Sequence, residues 1–399
     1  MRKFGYLILN LFICFNLTAG ESLFGISENS IGLVQQHFSA AGMARSYETA
    51  ATDSLQINYM NPAMWTLHSF TTYSINGGYQ SAYGDDGTDD SYFNSAAGFG
   101  SGFLVIPVMK RKLILGAGLS PFTSLEQRLR SDADSTDVRE LLVRGGLSKA
   151  GLHVSYRILP NLGAALGAEY IFGKVNKKTT IENLTVNEYA LNFIYDYRIY
   201  GFGASASMFY QPVKNLTLGF SFRPAAKLDV RVRPETSSVE VNKGRLTSIT
   251  VPAQFDSGIE YVFSKRSAAG LDFSYQDWQN GYKLADGSTD PHHTKYFRIG
   301  AGYERKQSSK LFTSFTERLD LRAGLYYSSL NQKSLGNNIS EYGLTLGFSF
   351  PLQRFRSRID FAGAVGRRGS LDVNQYEETF INFGISINAL ETWFISYED

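Results

Sequence analysis

Beyond its first twenty residues the chain has no cysteine, because the only one, Cys14, lies inside an apolar leader. That excludes disulfides, thiolate metal sites and cysteine nucleophiles from the remainder. Leu11-Phe12-Ile13 lacks the small residues expected before a lipidated cysteine, so Cys14 is not read as an anchor either. No later stretch approaches 18 uninterrupted apolar residues, which excludes membrane-spanning helices. No charge sign dominates: the formal net charge is +2, without the basic stripe a nucleic-acid partner requires. Histidine is sparse. His37, His68 and His153 stand in no recognisable nucleophile motif, and His292-His293 would need further ligands to hold a metal. Neither an enzyme, nor a metal site, nor a cofactor is expected.

What is present begins with Met1-Arg2-Lys3, the apolar run Phe4 to Leu17 and a small-residue exit at Thr18-Ala19-Gly20. A basic start and a short apolar core ending in small residues make a secretory signal over residues 1–20. The chain as a whole is rich in aromatics and glycine, with 24 Tyr, 29 Phe and 38 Gly against only 10 Pro. A secreted chain of that composition fits a sandwich, a propeller or a membrane barrel. Pattern decides among them.

From about Phe70 onward an alternating segment followed by a turn repeats to the end. Ile381, Phe383, Ile385 and Ile387 share one face, and Asn382, Gly384, Ser386 and Asn388 the other. Leu344, Leu346, Phe348 and Phe350 oppose Gly343, Thr345, Gly347 and Ser349 in the same way; so do the alternating sets over 216–223 and 269–276. Period-two alternation places each set on one face of a strand. The polar set is mostly Gly, Ser and Thr, which suits an enclosed lumen. The apolar set ends in Tyr and Phe near the turns, as interfacial girdles require. Segments often reach ten residues, as a tilted membrane strand needs, where sandwich strands average about 5–6.

Loop lengths give a second count. Connections alternate between long (Gly84–Phe93, Ser131–Val138, Lys174–Glu188, Pro224–Arg245, Gly281–His293, Asn331–Ser340, Arg367–Glu378) and short (Met109–Lys112, Leu159–Asn161, Gln211–Asn215, Ser264–Ser267, Lys306–Thr316, Leu352–Ser357). Outer-membrane barrels have long external loops and short periplasmic turns. The fold expected is therefore all-β: a transmembrane antiparallel β-barrel of about fourteen strands over residues 68–399, with both termini periplasmic. Residues 21–67 lack sustained alternation. Met43, Leu55, Ile57, Tyr59, Met60, Met64 and Trp65 make this piece too apolar for comfortable disorder, and it is expected to fold into the lumen as a plug rather than trail as a leader.

Within it, Ala41-Gly42-Met43-Ala44-Arg45, Ala50-Ala51-Thr52-Asp53-Ser54 and Asn58-Tyr59-Met60-Asn61-Pro62-Ala63 resemble the plug of FadL-type outer-membrane transporters. The ending, Gly366-Arg367-Arg368-Gly369 with Glu377, Phe380 and Trp393-Phe394, looks like a FadL-type subgroup. The resemblance implies passive uptake of hydrophobic molecules, long-chain fatty acids or aromatic hydrocarbons. A plug moves on ligand binding, near Asn61, Pro62 and Ala63, and the ligand leaves sideways at a kinked third strand. Here that strand meets Ser120-Pro121-Phe122. Proline cannot donate to the ladder, so Pro121 marks either a break in the wall or the outer rim.

Met60, Met64 and Trp65 either line a hydrophobic pocket or pack the plug on the wall. Arg298 and Arg322 point inward beside Asp256, Glu260, Asp272 and Asp320. Either could orient a carboxylate, although a lumen with both signs more often ties itself together by salt bridges. The acidic loops near Asp85–Asp90 and Asp132–Asp137 match no calcium-loop spacing and read as solvated surface. The expected partners are hydrophobic small molecules, outer-membrane lipids and the barrel assembly machinery, and the chain is expected to be a monomer. The rival function is a FadL-fold barrel that docks proteins for a type IX-like secretion system. A general porin is disfavoured by the apolar plug.

Overall fold

The computed structural model describes residues 30–35, 39–53, 55–87, 91–134, 137–183, 190–234, 246–308, 314–352 and 357–391. The signal expected over 1–20, the first part of the plug, His37 and the aromatic ending at Trp393-Phe394 lie outside the described residues.

One antiparallel sheet of fourteen strands forms the wall: β1 (Thr71–Asp85), β2 (Ser91–Met109), β3 (Leu113–Asp134), β4 (Asp137–Leu159), β5 (Leu162–Asn183), β6 (Ala190–Val213), β7 (Leu216–Arg223 and Ala226–Pro234), β8 (Leu246–Val251 and Gln254–Ser264), β9 (Ser267–Asp277), β10 (Lys295–Arg305), β11 (Asp320–Ser334), β12 (Asn337–Leu352), β13 (Ser357–Ser370) and β14 (Tyr376–Glu391). The interruptions of β7 and β8 fall at Pro224 and Pro252, where a ladder donor is missing. β14 pairs with β1 from Glu377↔Asp85 to Glu391↔Thr71, which closes the barrel.

The alternation falls as the sequence requires. Leu346 is 67% exposed and Phe383 56%, whereas Ser386, Asn388 and Ser349 are fully buried. Apolar outside and polar inside is the reverse of a water-soluble protein, and only hydrocarbon accommodates it.

The lumen holds the described residues between 30 and 67. A two-residue strand, Leu33–Val34, is followed by helix α1 (Ala40–Arg45) and a 3₁₀ helix, Pro62–Leu67. The small hydroxylated residues of the inner face meet the backbone groups of this plug. Ala40 N donates to Ser386 Oγ at 2.7 Å, Thr345 Oγ1 donates to Ala44 O at 2.9 Å, and Ser155 Oγ donates to Pro62 O at 2.8 Å. Asp272 Oδ2 accepts from Glu48 N at 2.6 Å and from Thr49 N at 2.8 Å. Inward glycines let the two backbones touch: a Cβ on Gly302 would lie 1.8 Å from Arg45 O, and one on Gly300 2.0 Å from Ser46 O.

Several connections expected as loops are strand. β5 continues through Lys174 to Asn183, β3 and β4 run into the Ser131–Val138 span, and β7 resumes after Pro224. The reason is visible in β7. Lys227, Asp229, Arg231 and Arg233 are exposed while Leu228 and Val230 are buried. The strands outrun the hydrocarbon, and there charge faces out and apolar side chains face in, so the phase of the alternation inverts. The Asn331–Ser340 span reduces to a tight turn with Leu335 at φ +50° and Gly336 at φ +80°, the left-handed pair a two-residue hairpin demands.

Candidate functional site: a path through the barrel

The inverted phase builds an apolar interior at the long-strand end. Ile31 and Leu33 of the plug pack with Val143, Val175, Ile199, Val230 and Ile249 from β4 to β8, under Trp278 and Tyr282 of the β9–β10 connection. A vestibule of about 670 Å³ opens there, lined by these walls together with Ser30 and Ile31. His293 holds its roof. Its ring stacks on Tyr282 at 4.3 Å and Trp278 at 5.8 Å, and burial pushes its pKa down to about 4 despite nearby Asp290.

Deeper in the lumen lies a second cavity of about 210 Å³, lined on one side by Leu33, Val34 and Gln35. The segment Ser30–Gln35 therefore lies as a strap between the two spaces. It is tied to opposite walls. Gln35 N donates to Phe122 O at 3.0 Å and Thr123 Oγ1 donates to Ile31 O at 2.6 Å, while Asn331 Nδ2 donates to Gly32 O at 3.1 Å from across the barrel. Gln332 Nε2 donates to Ser30 Oγ. Neither the strap nor these asparagine and glutamine partners stood out in the sequence, where two residues of strand are too short to carry a period.

At Pro121 the wall changes partner. β2 and β3 pair from Met109↔Leu113 to Gly102↔Leu119, and among the described residues their register stops there. β3 shifts register against β4 between Pro121 and Thr123, and its other edge is taken by the strap, with Val34↔Thr123 and Leu33↔Ser124. A cavity of about 670 Å³ lies along this seam, and Gln35, Gly78, Gln80, Gly100 and Pro121 line it as well as the luminal cavity. The two spaces thus adjoin through the seam. Phe122 is buried among Leu125, Leu147 and the strap.

The remaining residues of interest separate into two kinds. Met60 and Trp65 are buried with Ile57, Tyr59, Val105 and Ile114, and Met64 with Ala63, Ala165 and Phe209. Asn61 caps the 3₁₀ helix by accepting from Ala63 N at 3.1 Å, and its Nδ2 donates to the wall carbonyl Met208 O at 3.0 Å. Pro62 supplies the first helical position, where no N–H is needed. Met60 to Trp65 are thus buried and hydrogen-bonded against the wall. Arg322 is similarly engaged: Nη2 lies 2.7 Å from Glu304, 3.5 Å from Asp320 and 3.8 Å from Asp53. Burial alone would raise Asp53, but Arg358, Lys306 and Arg322 outweigh it and hold its carboxyl well below the usual range. Arg298 differs. Its guanidinium sits 4.5 Å over the Tyr326 ring, Nη1 donates to Ser46 O at 3.3 Å, and the buried Nη2 finds no acceptor among the described residues. Arg298 lines the luminal cavity together with Met43 and Pro121.

A closed fourteen-stranded wall turned inside out, with a hydrogen-bonded plug and a seam at its third strand, defines a plugged outer-membrane β-barrel. The chain belongs to the BamG family, whose model matches residues 2–398. Outer membrane protein P1 of Haemophilus influenzae is 25% identical over 361 residues, 74% of this chain and 77% of that protein. Among solved structures, the Pseudomonas putida toluene transporter TodX superposes with a TM-score of 0.61 at 14% identity, covering 90% of this chain and all of that one. The Ralstonia pickettii toluene transporter TbuX gives 0.59 at 15% identity, covering 91% and 100%. A Pseudomonas aeruginosa FadL homologue gives 0.58 at 13%, also covering 91% and 100%. The FadL-type resemblance of the plug motif thus holds for the fold.

Proposed function

We propose that this protein is an outer-membrane channel for passive uptake of hydrophobic molecules such as long-chain fatty acids or aromatic hydrocarbons. The observation that carries it is the sequence of spaces: an apolar vestibule, a strap, a luminal cavity and a seam in the wall. A ligand captured among Ile31, Val175 and Ile249 displaces the strap, enters the cavity past Arg298 and leaves laterally beside Pro121. Arg298 orients a carboxylate when the ligand has one, since its Nη2 is an unsatisfied buried donor. The Asn61–Trp65 block stays in place and anchors the strap's movement. Thr71 and Glu391, where the wall begins and ends, lie on the short-turn side, which this reading makes periplasmic. The fold shared with two toluene transporters supports a small hydrophobic ligand.

The test exploits the absence of cysteine after the leader. Gly100→Cys and Pro121→Cys, bridged by a short thiol cross-linker, should abolish uptake of a fluorescent hydrophobic probe, and cleaving the linker should restore it. Uptake that continues through the bridged seam refutes lateral exit. A second reading is protein docking, favoured by the family's name, which points to barrel assembly. It is the better one if bridging leaves uptake unchanged while secreted or outer-membrane proteins fail to mature.

A further inference from the structure

The outer wall carries a basic belt that the path does not use. On β5 and β6 the last outward aromatic pair is Phe172↔Tyr200, flanked by Tyr170↔Phe202. Two residues further up, about 7 Å along the strand, Lys174 stands directly opposite Arg198, and Arg198 directly opposite Arg231 of β7. Arg144 of β4 lies diagonal to Lys174, opposite Asn176. Like charges placed directly across a ladder destabilise it, so three cations in one row are a cost that packing does not explain.

One cation of the row and its diagonal neighbour are partly neutralised: Lys174 Nζ lies 2.7 Å from Asp196, and Arg144 Nε 2.6 Å from Glu126. Arg198 and Arg231 are exposed and make no ion pair among the described residues. Asp229 and Asp196 do not balance the row, because Lys227 and Arg233 stand on the same face. The level is informative. Interfacial aromatics mark the edge of the hydrocarbon, so the next outward row sits among lipid headgroups.

A cavity lies directly beneath the belt. The seam space is rimmed by Arg144 and Lys174 and lined by Phe99, Leu125, Leu147 and Phe172 together with the polar Gln80, Glu126 and Asn176. Gly145 and Gly146 line it, and there β4 passes close to both neighbouring strands. A Cβ there would fall 2.0 Å from Lys174 O and 2.3 Å from Thr123 O, and Gly145 has φ +137°. Cations over a partly apolar slot, at headgroup height, match an anionic amphiphile.

We propose that this belt and slot bind a phosphorylated lipid of the outer leaflet, its phosphates on Lys174, Arg198, Arg231 and Arg144 and one acyl chain in the seam. Arginine suits this role because its fork presents paired donors to phosphate oxygens. The lipid neutralises the row and fills the slot that the β2–β3 break leaves open to the membrane. It therefore has a role whether or not a ligand leaves there.

The experiment is native mass spectrometry of the full-length barrel in detergent, titrated with bis-phosphorylated lipid A and with its dephosphorylated form. The phosphorylated lipid should bind preferentially with one-to-one stoichiometry. Arg198→Gln with Arg231→Gln should weaken it about thirtyfold, on the scale of about fivefold per basic side chain at an anionic lipid surface, while Arg198→Lys with Arg231→Lys retains most of it. Both sites are exposed and outside the hydrocarbon, so the glutamine variant should unfold at the same temperature as the parent or higher, through loss of like-charge repulsion. Equal binding of the dephosphorylated lipid, or an unchanged affinity in the glutamine variant, overturns the proposal. Displacement of the lipid by millimolar inorganic phosphate also overturns it, since the site would then be a simple anion site.

Discussion

Asn331→Ala isolates the strap from the rest of the plug. Asn331 is fully buried on β11; its Nδ2 donates to Gly32 O at 3.1 Å, and its Oδ1 accepts from Val34 N at 3.4 Å. Removing the amide leaves one buried carbonyl and one buried N–H without partners, at about 1–3 kcal/mol each. Because the second bond is long, about 3 kcal/mol is a fair total, which shifts the closed-to-open ratio of the strap about a hundredfold. The barrel ladders do not involve this side chain, so thermal unfolding of the wall should be unchanged. Hydrogen exchange at the Val34 amide should accelerate, and uptake of a hydrophobic fluorescent probe into cells should rise until another step limits it. Asn331→Asp keeps the acceptor and loses the donor, and should fall between the two. If Val34 exchanges faster while uptake stays flat, the strap is not the gate. If neither changes, the hydrogen-bond reasoning itself is wrong.

Arg322→Met deprives Glu304 of its 2.7 Å partner, leaving Arg45 at 3.7 Å, and should destabilise the barrel by about 3–5 kcal/mol, read in the heat-dependence of its mobility on gels. Arg298→Met should leave that readout nearly unchanged and instead reduce affinity for a fatty acid relative to the matching hydrocarbon in a binding titration; equal losses for both ligands would remove Arg298 as a carboxylate anchor. Glu48, buried beside Ser39, Gln56 and Tyr59, is pushed by burial to about 7. With its folded value above the unfolded one, the docked plug gains a proton as pH falls through about 7, so docking is firmest below that window and weakens as pH rises through it. Limited proteolysis of the plug across pH 5 to about 8 should show this, and Glu48→Gln should flatten the profile. Gly302→Val places a side chain where Arg45 O now sits and should unseat α1, detected as new protease sensitivity between residues 40 and 53 in a barrel that still assembles.

Much of this protein was legible in the order of its residues. Ile381, Phe383, Ile385 and Ile387 read as the outer face because a strand turns every second side chain the same way, whatever surrounds it. The strand count followed from turns of contrasting length, and Asn61-Pro62 read as a local structural signal because a cap and a first-turn proline act within a few residues. Above the membrane the same alternation runs through Lys227–Arg233, but its phase is reversed where water replaces lipid, so by sequence it resembles a charged loop. Pro121 stands out by its missing donor, a local property that does not fix its height in the wall.

Local chemistry fixed the strands, their facing and the plug's own turns, because period, caps and missing N–H groups are properties of neighbouring residues. Which strand edge accepts Leu33–Val34, why β2 lets go of β3 after Leu119, and why Arg322 is engaged while Arg298 keeps a spare donor were decided only by closure of the barrel. Those outcomes depend on register summed around fourteen strands, and no short stretch of sequence encodes that sum.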